Sequence, residues 1–328
     1  MTKTKSLFVF LNPIMGLLLM TVTFFTTVAL SQELRDQKRH DFFYAGETKI
    51  HHMYMVKAGE ITWRYHNPDS KGEISDAMLM DDGNILVAHQ FGLLEMTGDQ
   101  KIVWSKPAPE GTEIHTIQPI GKNHVVYVQN GKPAKLVVMH IPSLEIKKEF
   151  ELPSGDSVHG QFRNARLTSR GTIVVSHMDL GKVCEYDSTG KEVWSIEIPS
   201  PWSAIPLKNE NLLITSNRAL VREVNREKAS VWEVNLRETP EFKVTSPQVS
   251  YRLPNGNTII SNWFNQWSRN AVLDLENPPV QAIEITPDKK VVWELCWWKT
   301  PDELGPSTIF QPINEPVVRG KLTFGEFK

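Results

Sequence analysis

Short apolar runs recur along the chain, and each follows a polar turn. At 81–84 the turn sequence DDGN leads directly into the apolar residues Ile85–Ala88. Comparable turns rich in Gly and Asn begin at residues 121, 169, 208 and 254, and each leads into a similar run. Continuous apolar runs of this length, bounded by turn residues, predict β-strands that are buried on both faces.

A second pattern alternates with the first, in which a Glu stands nine positions before a Trp. It is clearest at 185–194 (EYDSTGKEVW), where an Asp/Gly turn separates two strand-like segments. The same frame recurs at 95–104, 223–232 and 284–293, and weaker copies end at Trp63 and Phe150. Most of the six closing aromatic residues are about 38–46 positions apart, a spacing typical of propeller repeats.

Together the two patterns predict a repeat of four strands, A to D, counted outwards from a central axis. Five full copies span about 73–107, 113–153, 161–199, 201–236 and 245–298. A sixth is assembled from strand A at 307–316 and strands B to D at 42–66. We therefore predict an all-β, six-bladed β-propeller that forms a single domain over 32–328 and is closed by pairing its terminal strands.

Composition limits the partners, and the N-terminus indicates a location. The chain has 36 Lys and Arg against 38 Asp and Glu, so no basic excess favours nucleic acid. Lys3 and Lys5 precede an apolar run over 7–30, and Ser31 follows the small residue Ala29 by two positions. This predicts a signal peptide over 1–31 and export to the periplasm or the medium. An uncleaved segment is the alternative and would be the only membrane contact.

The candidate functional residues lie on one side of the predicted ring. Because strands alternate in direction, the A–B and C–D turns share one face, the turn face. The B–C loops and D–A connections share the other, the mouth face. Candidate catalytic residues on the mouth face are Glu47, His115, His159, Arg163, Arg166 and His177. Candidate ligand-binding residues there are His51, His89, Gln90, Trp202, Asn262, Trp263 and Gln281.

This set of side chains is suited to a polar or anionic carbohydrate. For elimination on a uronate, Arg163 or Arg166 would neutralise the carboxylate, and His115, His159 or His177 would be the base. Salt bridges from the two arginines to Asp76 or Glu113 are the structural alternative.

Hydrolysis would instead use Glu47 with Asp76 or Glu113. Trp202 and Trp263 can stack on sugar faces or simply pack the site. The B–C loop of the fifth repeat, over 262–281, is about fifteen residues longer than its counterparts, which makes it a candidate surface for a protein partner.

The sequence EYDSTGKEVW resembles the tryptophan-docking repeat of pyrroloquinoline-quinone (PQQ) enzymes, and the other copies are degenerate versions of it. The resemblance implies the propeller fold. The cofactor is not expected, because those enzymes have eight blades and a vicinal Cys pair, which this chain lacks. No cofactor is predicted. Metal content stays open, since ligands can come from different blades although no H-x-x-x-H spacing occurs.

Two further resemblances bear on function. The segments HGQFR at 159–163 and NGNTIISNW at 255–263 are similar to those of exported propellers of Bacteroidetes-type bacteria, often associated with glycan use. The six blades and the funnel histidines also resemble arylsulfotransferase-like propellers, by distant analogy.

Three functional hypotheses follow. The first is an exported propeller that binds an acidic or sulfated glycan and acts as a polysaccharide lyase or a glycoside hydrolase. The second is a non-catalytic binding or assembly propeller. The third is group transfer through a funnel histidine.

Overall fold

The fold is a ring of six antiparallel sheets in a computed structural model. The structure describes residues 36, 39–47, 52–67, 72–238, 244, 246–263, 274, 276, 278–298 and 304–328. Among these residues, 24 strands form six sheets of four. The predicted fold class and blade number are therefore confirmed. The predicted signal segment at 1–31 lies outside the described residues.

Each sheet is one blade, numbered in repeat order from the inner strand outwards. Blade 1 is β4 (Asp76–Leu79), β5 (Ile85–Ala88), β6 (Gly92–Met96) and β7 (Ile102–Pro107). Blade 2 is β8 (Glu113–Ile120), β9 (His124–Asn130), β10 (Ala134–His140) and β11 (Glu145–Leu152). Blade 3 is β12 (Phe162–Leu167), β13 (Ile173–His177), β14 (Lys182–Tyr186) and β15 (Glu192–Glu197). Blade 4 is β16 (Pro201–Pro206), β17 (Leu212–Ser216), β18 (Leu220–Val224) and β19 (Ser230–Asn235). Blade 5 is β20 (Pro247–Arg252), β21 (Thr258–Asn262), β22 (Ala282–Ile285) and β23 (Val291–Leu295).

Blade 6 joins the two ends of the chain, as predicted. It consists of β24 (Ser307–Pro312), β1 (Phe42–Gly46), β2 (His52–Lys57) and β3 (Glu60–His66). The strands β1 and β24 are antiparallel, with Tyr44 opposite Phe310. The inner strands β4, β8, β12, β16, β20 and β24 contact one another in that order around the axis. The ring is thus closed without a free inner edge.

Helix is almost absent from the described part of the chain. Two short 3-10 helices occur there, Val158–Gly160 and Leu236–Glu238. None of the described helices has the length and apolar character needed to cross a membrane.

The Glu-to-Trp frame is a structural device of the two outer strands. Glu185 and Trp194 face each other across β14 and β15, next to a β-bulge. The Trp194 Nε1 donates a hydrogen bond to the carbonyl of Arg226 in the next blade, at 2.9 Å. Trp232 reaches the carbonyl of Pro287 in the same way. These tryptophans therefore connect neighbouring blades, as buried aromatic residues with a polar group commonly do.

The C-terminal segment crosses the turn face, where only tight turns are expected from the sequence. The amide of Asp81 in blade 1 donates to the carbonyl of Val317 at 3.0 Å, and that of Gly121 in blade 2 donates to Leu322 at 2.8 Å. Phe324 and Phe327 then bury their rings in the core between blades 2 and 3. This segment secures one face of the ring, and the candidate residues lie on the other.

Candidate functional site

Five charged or imidazole side chains meet where the inner strands of neighbouring blades begin. Glu73 precedes β4, Glu113 and His115 open β8, His159 lies on the 3-10 helix before β12, and Arg163 is the second residue of β12. We call these five residues the mouth cluster. They come together because each stands at or just before the start of an inner strand on the mouth face, close to the axis of the propeller.

His115 lies at the centre of the mouth cluster and is completely buried. Its Nε2 is 2.7 Å from Oε2 of Glu113. Its Nδ1 is 3.0 Å from Oε1 of Glu73, 3.1 Å from Nη1 of Arg163 and 2.7 Å from the hydroxyl of Ser75. Both ring nitrogens are thus engaged inside the protein. His115 therefore orders its neighbours and does not meet a ligand directly.

Glu113 connects the buried and exposed histidines. Its Oε2 also lies 2.8 Å from Nδ1 of His159, and its Oε1 accepts a hydrogen bond from Gln90 Nε2 at 3.0 Å. Burial opposes ionisation of Glu113, but the hydrogen bonds from His115, Gln90 and His159 outweigh it and lower the pKa to about 2. The side chain of His159 is 54% exposed. His159 is therefore held through Nδ1, with Nε2 left for a ligand or solvent.

Arg163 is buried, and only part of its hydrogen-bonding capacity is used by the described residues. Its Nη1 donates hydrogen bonds to Glu73 and His115, and its guanidinium lies over the ring of Trp202, 4.9 Å from the centroid. Its Nε has no hydrogen-bond partner among the described residues, although the side chain is only 4% exposed. A buried donor without an acceptor costs about 1–3 kcal/mol, so an additional oxygen atom here would be stabilising.

Glu47 and Trp263 add a second carboxyl group to the mouth face. Glu47 directly follows β1, and it accepts a hydrogen bond from the indole nitrogen of Trp263, which directly follows β21. Burial, followed by the negative charge of Glu73, raises the pKa of Glu47 from its usual value to a net value of about 7. The Trp263 hydrogen bond and the charge of Arg163 act in the opposite direction. Near neutral pH Glu47 is therefore partly protonated, whereas Glu113 is ionised.

Arg166, a candidate catalytic residue, lies below the mouth cluster and pairs with Asp76. Its two terminal nitrogens bind the two oxygens of Asp76, each at 2.8 Å. The hydroxyl of Thr116 adds a bond to Asp76 at 2.9 Å and another from Arg166 at 3.1 Å. Asp76 is 1% exposed. This pair is the salt bridge that stood as the structural alternative, and it also removes Asp76 from the hydrolytic candidates.

His177 and His89, both candidate site residues, lie outside the mouth cluster. His177 ends β13 and is buried, with Nδ1 3.0 Å from the carbonyl of Pro153 and Nε2 2.9 Å from the hydroxyl of Tyr186. Burial lowers the pKa of His177 to about 4, so it is neutral at physiological pH. His89 follows β5 and lines a groove of about 510 Å³ beside Tyr65 of blade 6. His177 ends a B strand and His89 follows one, and B strands lie farther from the axis than inner strands.

The side chains of Asn262 and Gln281, both candidate ligand-binding residues, bond to backbone groups of the protein. Asn262 is buried, accepts from the amide of Ser246 at 3.0 Å and donates to the carbonyl of Val280 at 2.8 Å. Gln281 donates to the carbonyls of Trp297 and Gly305, both at 3.0 Å. Such fully bonded amides brace the loops of blade 5. His51 and most of the long loop between Trp263 and residue 278 lie outside the described residues.

Glu73 is the member of the mouth cluster that the sequence reasoning missed. It lies in a D–A connection, three residues before Asp76, so its position in the repeat is the signal that could have found it. Glu73, His115 and His159 each offer one possible metal ligand, and the three atoms lie within 4.8 Å of one another. Arg163 Nη1 contacts two of these three residues. The guanidinium of Arg163 therefore supplies positive charge next to two of the possible metal ligands.

Comparison with known proteins supports the repeat type and the fold. A PQQ-type repeat model, described as outer membrane protein assembly factor BamB, matches residues 149–261, roughly a third of the chain. The crystal structure of a protein of unknown function from Bacteroides caccae is 21% identical with a TM-score of 0.71, and the match covers 84% of this chain and 100% of that one. The sequence matches no curated protein at a significant level.

More distant solved structures share the propeller architecture. A streptogramin B lyase is 12% identical with a TM-score of 0.55, and the match covers 81% of this chain and 86% of that chain. A catalytically inactive virginiamycin B lyase from Staphylococcus aureus, solved with quinupristin, is 12% identical with a TM-score of 0.52, covering 79% and 85% of the two chains. At these identities the likeness shows the fold alone, and function must be argued from the site.

Proposed function

We propose that this protein is an exported propeller whose mouth face binds an acidic or sulfated glycan. The observation that supports this most directly is the state of Arg163. All of its hydrogen bonds to described residues come from Nη1. The edge formed by Nε and Nη2 has no hydrogen-bond partner among the described residues, and such an edge can bind a carboxylate or sulfate through two parallel hydrogen bonds.

Aromatic side chains support a sugar as the carrier of that anionic group. Trp202 lies against the guanidinium of Arg163, and Trp263 binds Glu47. Both indoles are partly exposed. Partly exposed aromatic rings beside a few fixed polar groups are typical of pockets for polar organic ligands. A glycan offers the anionic group and the ring face together.

The protonation of Glu47 reduces the electrostatic repulsion between the mouth face and an anion. The negative charges of Glu73 and Glu113 would otherwise repel an acidic ligand. With a pKa of about 7, Glu47 carries a proton in mildly acidic solution and adds no further negative charge. We therefore expect acidic glycans to bind more tightly at pH 6 than at pH 8.

A glycan panel tests this proposal. Calorimetric titrations of the purified protein would compare oligogalacturonate and a sulfated oligosaccharide with a neutral gluco-oligosaccharide of equal length. We expect measurable affinity for the anionic members and at least about tenfold weaker binding of the neutral one, a difference of about 1.4 kcal/mol. Equal affinity for all three, or no binding of either anionic ligand, would refute the proposal.

The remaining alternatives predict different results in the same experiments. An assembly role without glycan binding, through the long loop over 262–281, predicts no saccharide affinity. Group transfer through a histidine predicts a stable adduct, and His159 is the exposed histidine of the mouth cluster. Mass spectrometry after incubation with an aryl sulfate would detect an added sulfuryl group. Its absence at His159 would argue against the transfer hypothesis.

A further inference from the structure

The mouth cluster contains a histidine that is oriented by a carboxylate, an arrangement suited to proton removal. Glu113 accepts the Nδ1 hydrogen of His159 at 2.8 Å, which fixes the tautomer with a lone pair on the exposed Nε2. Glu113 also holds His115 at 2.7 Å and Gln90 at 3.0 Å. The carboxylate is therefore fixed in place, and it would stabilise the positive charge that appears when His159 gains a proton.

We propose that the mouth cluster and Glu47 together cleave uronic-acid-containing glycans by β-elimination, with His159 as the base, Glu47 as the acid and Arg163 as the group that binds the uronate carboxylate. This inference rests on the proposed glycan-binding function. It narrows the substrate class, because a glycan that is only sulfated has no carboxylate to acidify the adjacent C–H bond.

The relative placement of Arg163 and His159 favours elimination over hydrolysis. Arg163 Nη1 contacts His115, whose ring lies 5.4 Å from the ring of His159, centroid to centroid. Arg163 and His159 therefore flank His115, and the proposed step requires a uronate that pairs with the guanidinium to extend past His115 so that its α-hydrogen reaches the imidazole base. Neutralising that carboxylate by a guanidinium makes the α-hydrogen more acidic. Hydrolysis would instead need a free carboxylate at the anomeric carbon, and both oxygens of Glu113 are already bonded.

The proposed step balances without any additional reactant. His159 Nε2 takes the proton from the carbon next to the carboxylate, and the electron pair of that C–H bond forms a carbon–carbon double bond. The bond from the neighbouring carbon to the glycosidic oxygen breaks, and Glu47 gives its proton to the departing oxygen. The products are an unsaturated uronate end and a shortened glycan. Solvent then returns the proton from His159 to Glu47. The raised pKa of Glu47 supports its role as the donor near neutrality.

The test measures binding and cleavage separately in wild-type protein, His159→Ala, Glu47→Gln and the control His140→Ala. His140 is a partly exposed histidine in blade 2 that bonds Ser143 at 2.8 Å. The readouts are calorimetric affinity for oligogalacturonate, ultraviolet absorbance of unsaturated products, and product masses. We expect His159→Ala and Glu47→Gln to bind within about threefold of wild type but to form unsaturated product at least about 100-fold more slowly. His140→Ala should retain the wild-type rate.

Each other outcome is decisive. Wild-type protein that binds oligogalacturonate without forming unsaturated product overturns the elimination while leaving the binding function intact. New reducing ends without unsaturation would show hydrolysis and also overturn it. A full rate in His159→Ala would remove the assigned base. Absence of binding would refute the proposed function itself. Thermal unfolding of each variant shows whether a lost rate reflects a lost fold.

Discussion

Arg163 and Arg166 lie three residues apart on β12, and both pair with carboxylates from blade 1, yet their surroundings differ. Arg166 uses both terminal nitrogens on Asp76, and Thr116 completes the pair. Arg163 uses Nη1 alone, and its Nε lacks a partner among the described residues. The Arg166–Asp76 pair thus uses the hydrogen bonds of both terminal nitrogens, whereas Arg163 keeps hydrogen-bonding capacity. A buried charged group with incomplete hydrogen bonding is therefore a better candidate for ligand binding than one whose hydrogen bonds are all satisfied.

The largest expected effect comes from breaking the Arg166–Asp76 pair. Arg166→Met would leave Asp76 charged and unpaired in the interior, which should cost about 3–5 kcal/mol of unfolding free energy. Arg163→Met should cost about 1–2 kcal/mol, because Glu73 keeps its hydrogen bond from Ser75 and is partly exposed. Chemical denaturation of both variants measures the difference. Equal losses would show that the two arginines are equivalent.

His177 and His159 show the same contrast between a structural and an exposed position, with a smaller expected effect on the free energy of unfolding. His177→Ala removes hydrogen bonds to Pro153 and Tyr186 from a buried position, so the free energy of unfolding should fall by about 2–3 kcal/mol. His159→Ala, on the exposed side, should change it by less than about 0.5 kcal/mol. Thermal unfolding compares them. A marked effect of His177→Ala on glycan affinity, measured under conditions where it is folded, would contradict its structural role.

Glu47 gives a pH-dependent test of the mouth face. Its pKa is about 7 in the folded protein, above the usual value of 4.5, so its contribution to stability is complete below about pH 4.5 and is lost as the pH rises through 7. Glu47→Gln removes that loss. We expect the variant to be about 3 kcal/mol more stable than wild type at pH 8 and equally stable at pH 4. Denaturation at the two pH values checks this, and a difference independent of pH would contradict the assigned protonation.

The smallest expected effect is that of a chelator. Because Arg163 Nη1 contacts Glu73 and His115, two of the three possible metal ligands, we expect glycan binding to proceed with the guanidinium as the cation. Dialysis against EDTA should change the affinity for oligogalacturonate by less than about twofold, or about 0.4 kcal/mol. A large loss that zinc or calcium restores would show that a metal replaces Arg163.

The sequence predicts the ring well because its turns and Glu-to-Trp frames repeat at the blade period. The pairing of β1 with β24, which closes the ring, follows from the same count of repeats. The repeat also identifies which residues lie on the mouth face. It does not give their distance from the axis. Arg163, His115 and His159 meet because they open inner strands or precede them. His177 and His89 lie farther out, at the end of a B strand and directly after one.

Pairing between side chains is the other quantity that a repeat pattern cannot supply. The sequence is compatible with a salt bridge from Asp76 to either Arg163 or Arg166, because the two arginines lie three residues apart on β12. The repeat also does not indicate which polar residue of a D–A connection, such as Glu73, reaches the mouth cluster. The path of Phe324 and Phe327 across the turn face is outside the repeat altogether. Tertiary packing decides all of these placements.

The Nε–Nη2 edge of Arg163, which has no partner among the described residues, is the proposed binding site for the anionic group of a glycan. Arg252 is a matched control, since it lies 4.8 Å over the ring of Trp232 and binds Glu223 at 2.8 Å where β20 ends, on the turn face. Calorimetry of oligogalacturonate with wild type, Arg163→Met and Arg252→Met is the direct measurement. The account predicts at least about tenfold weaker binding for Arg163→Met and a change below about twofold for Arg252→Met. Equal affinities in all three proteins would contradict it.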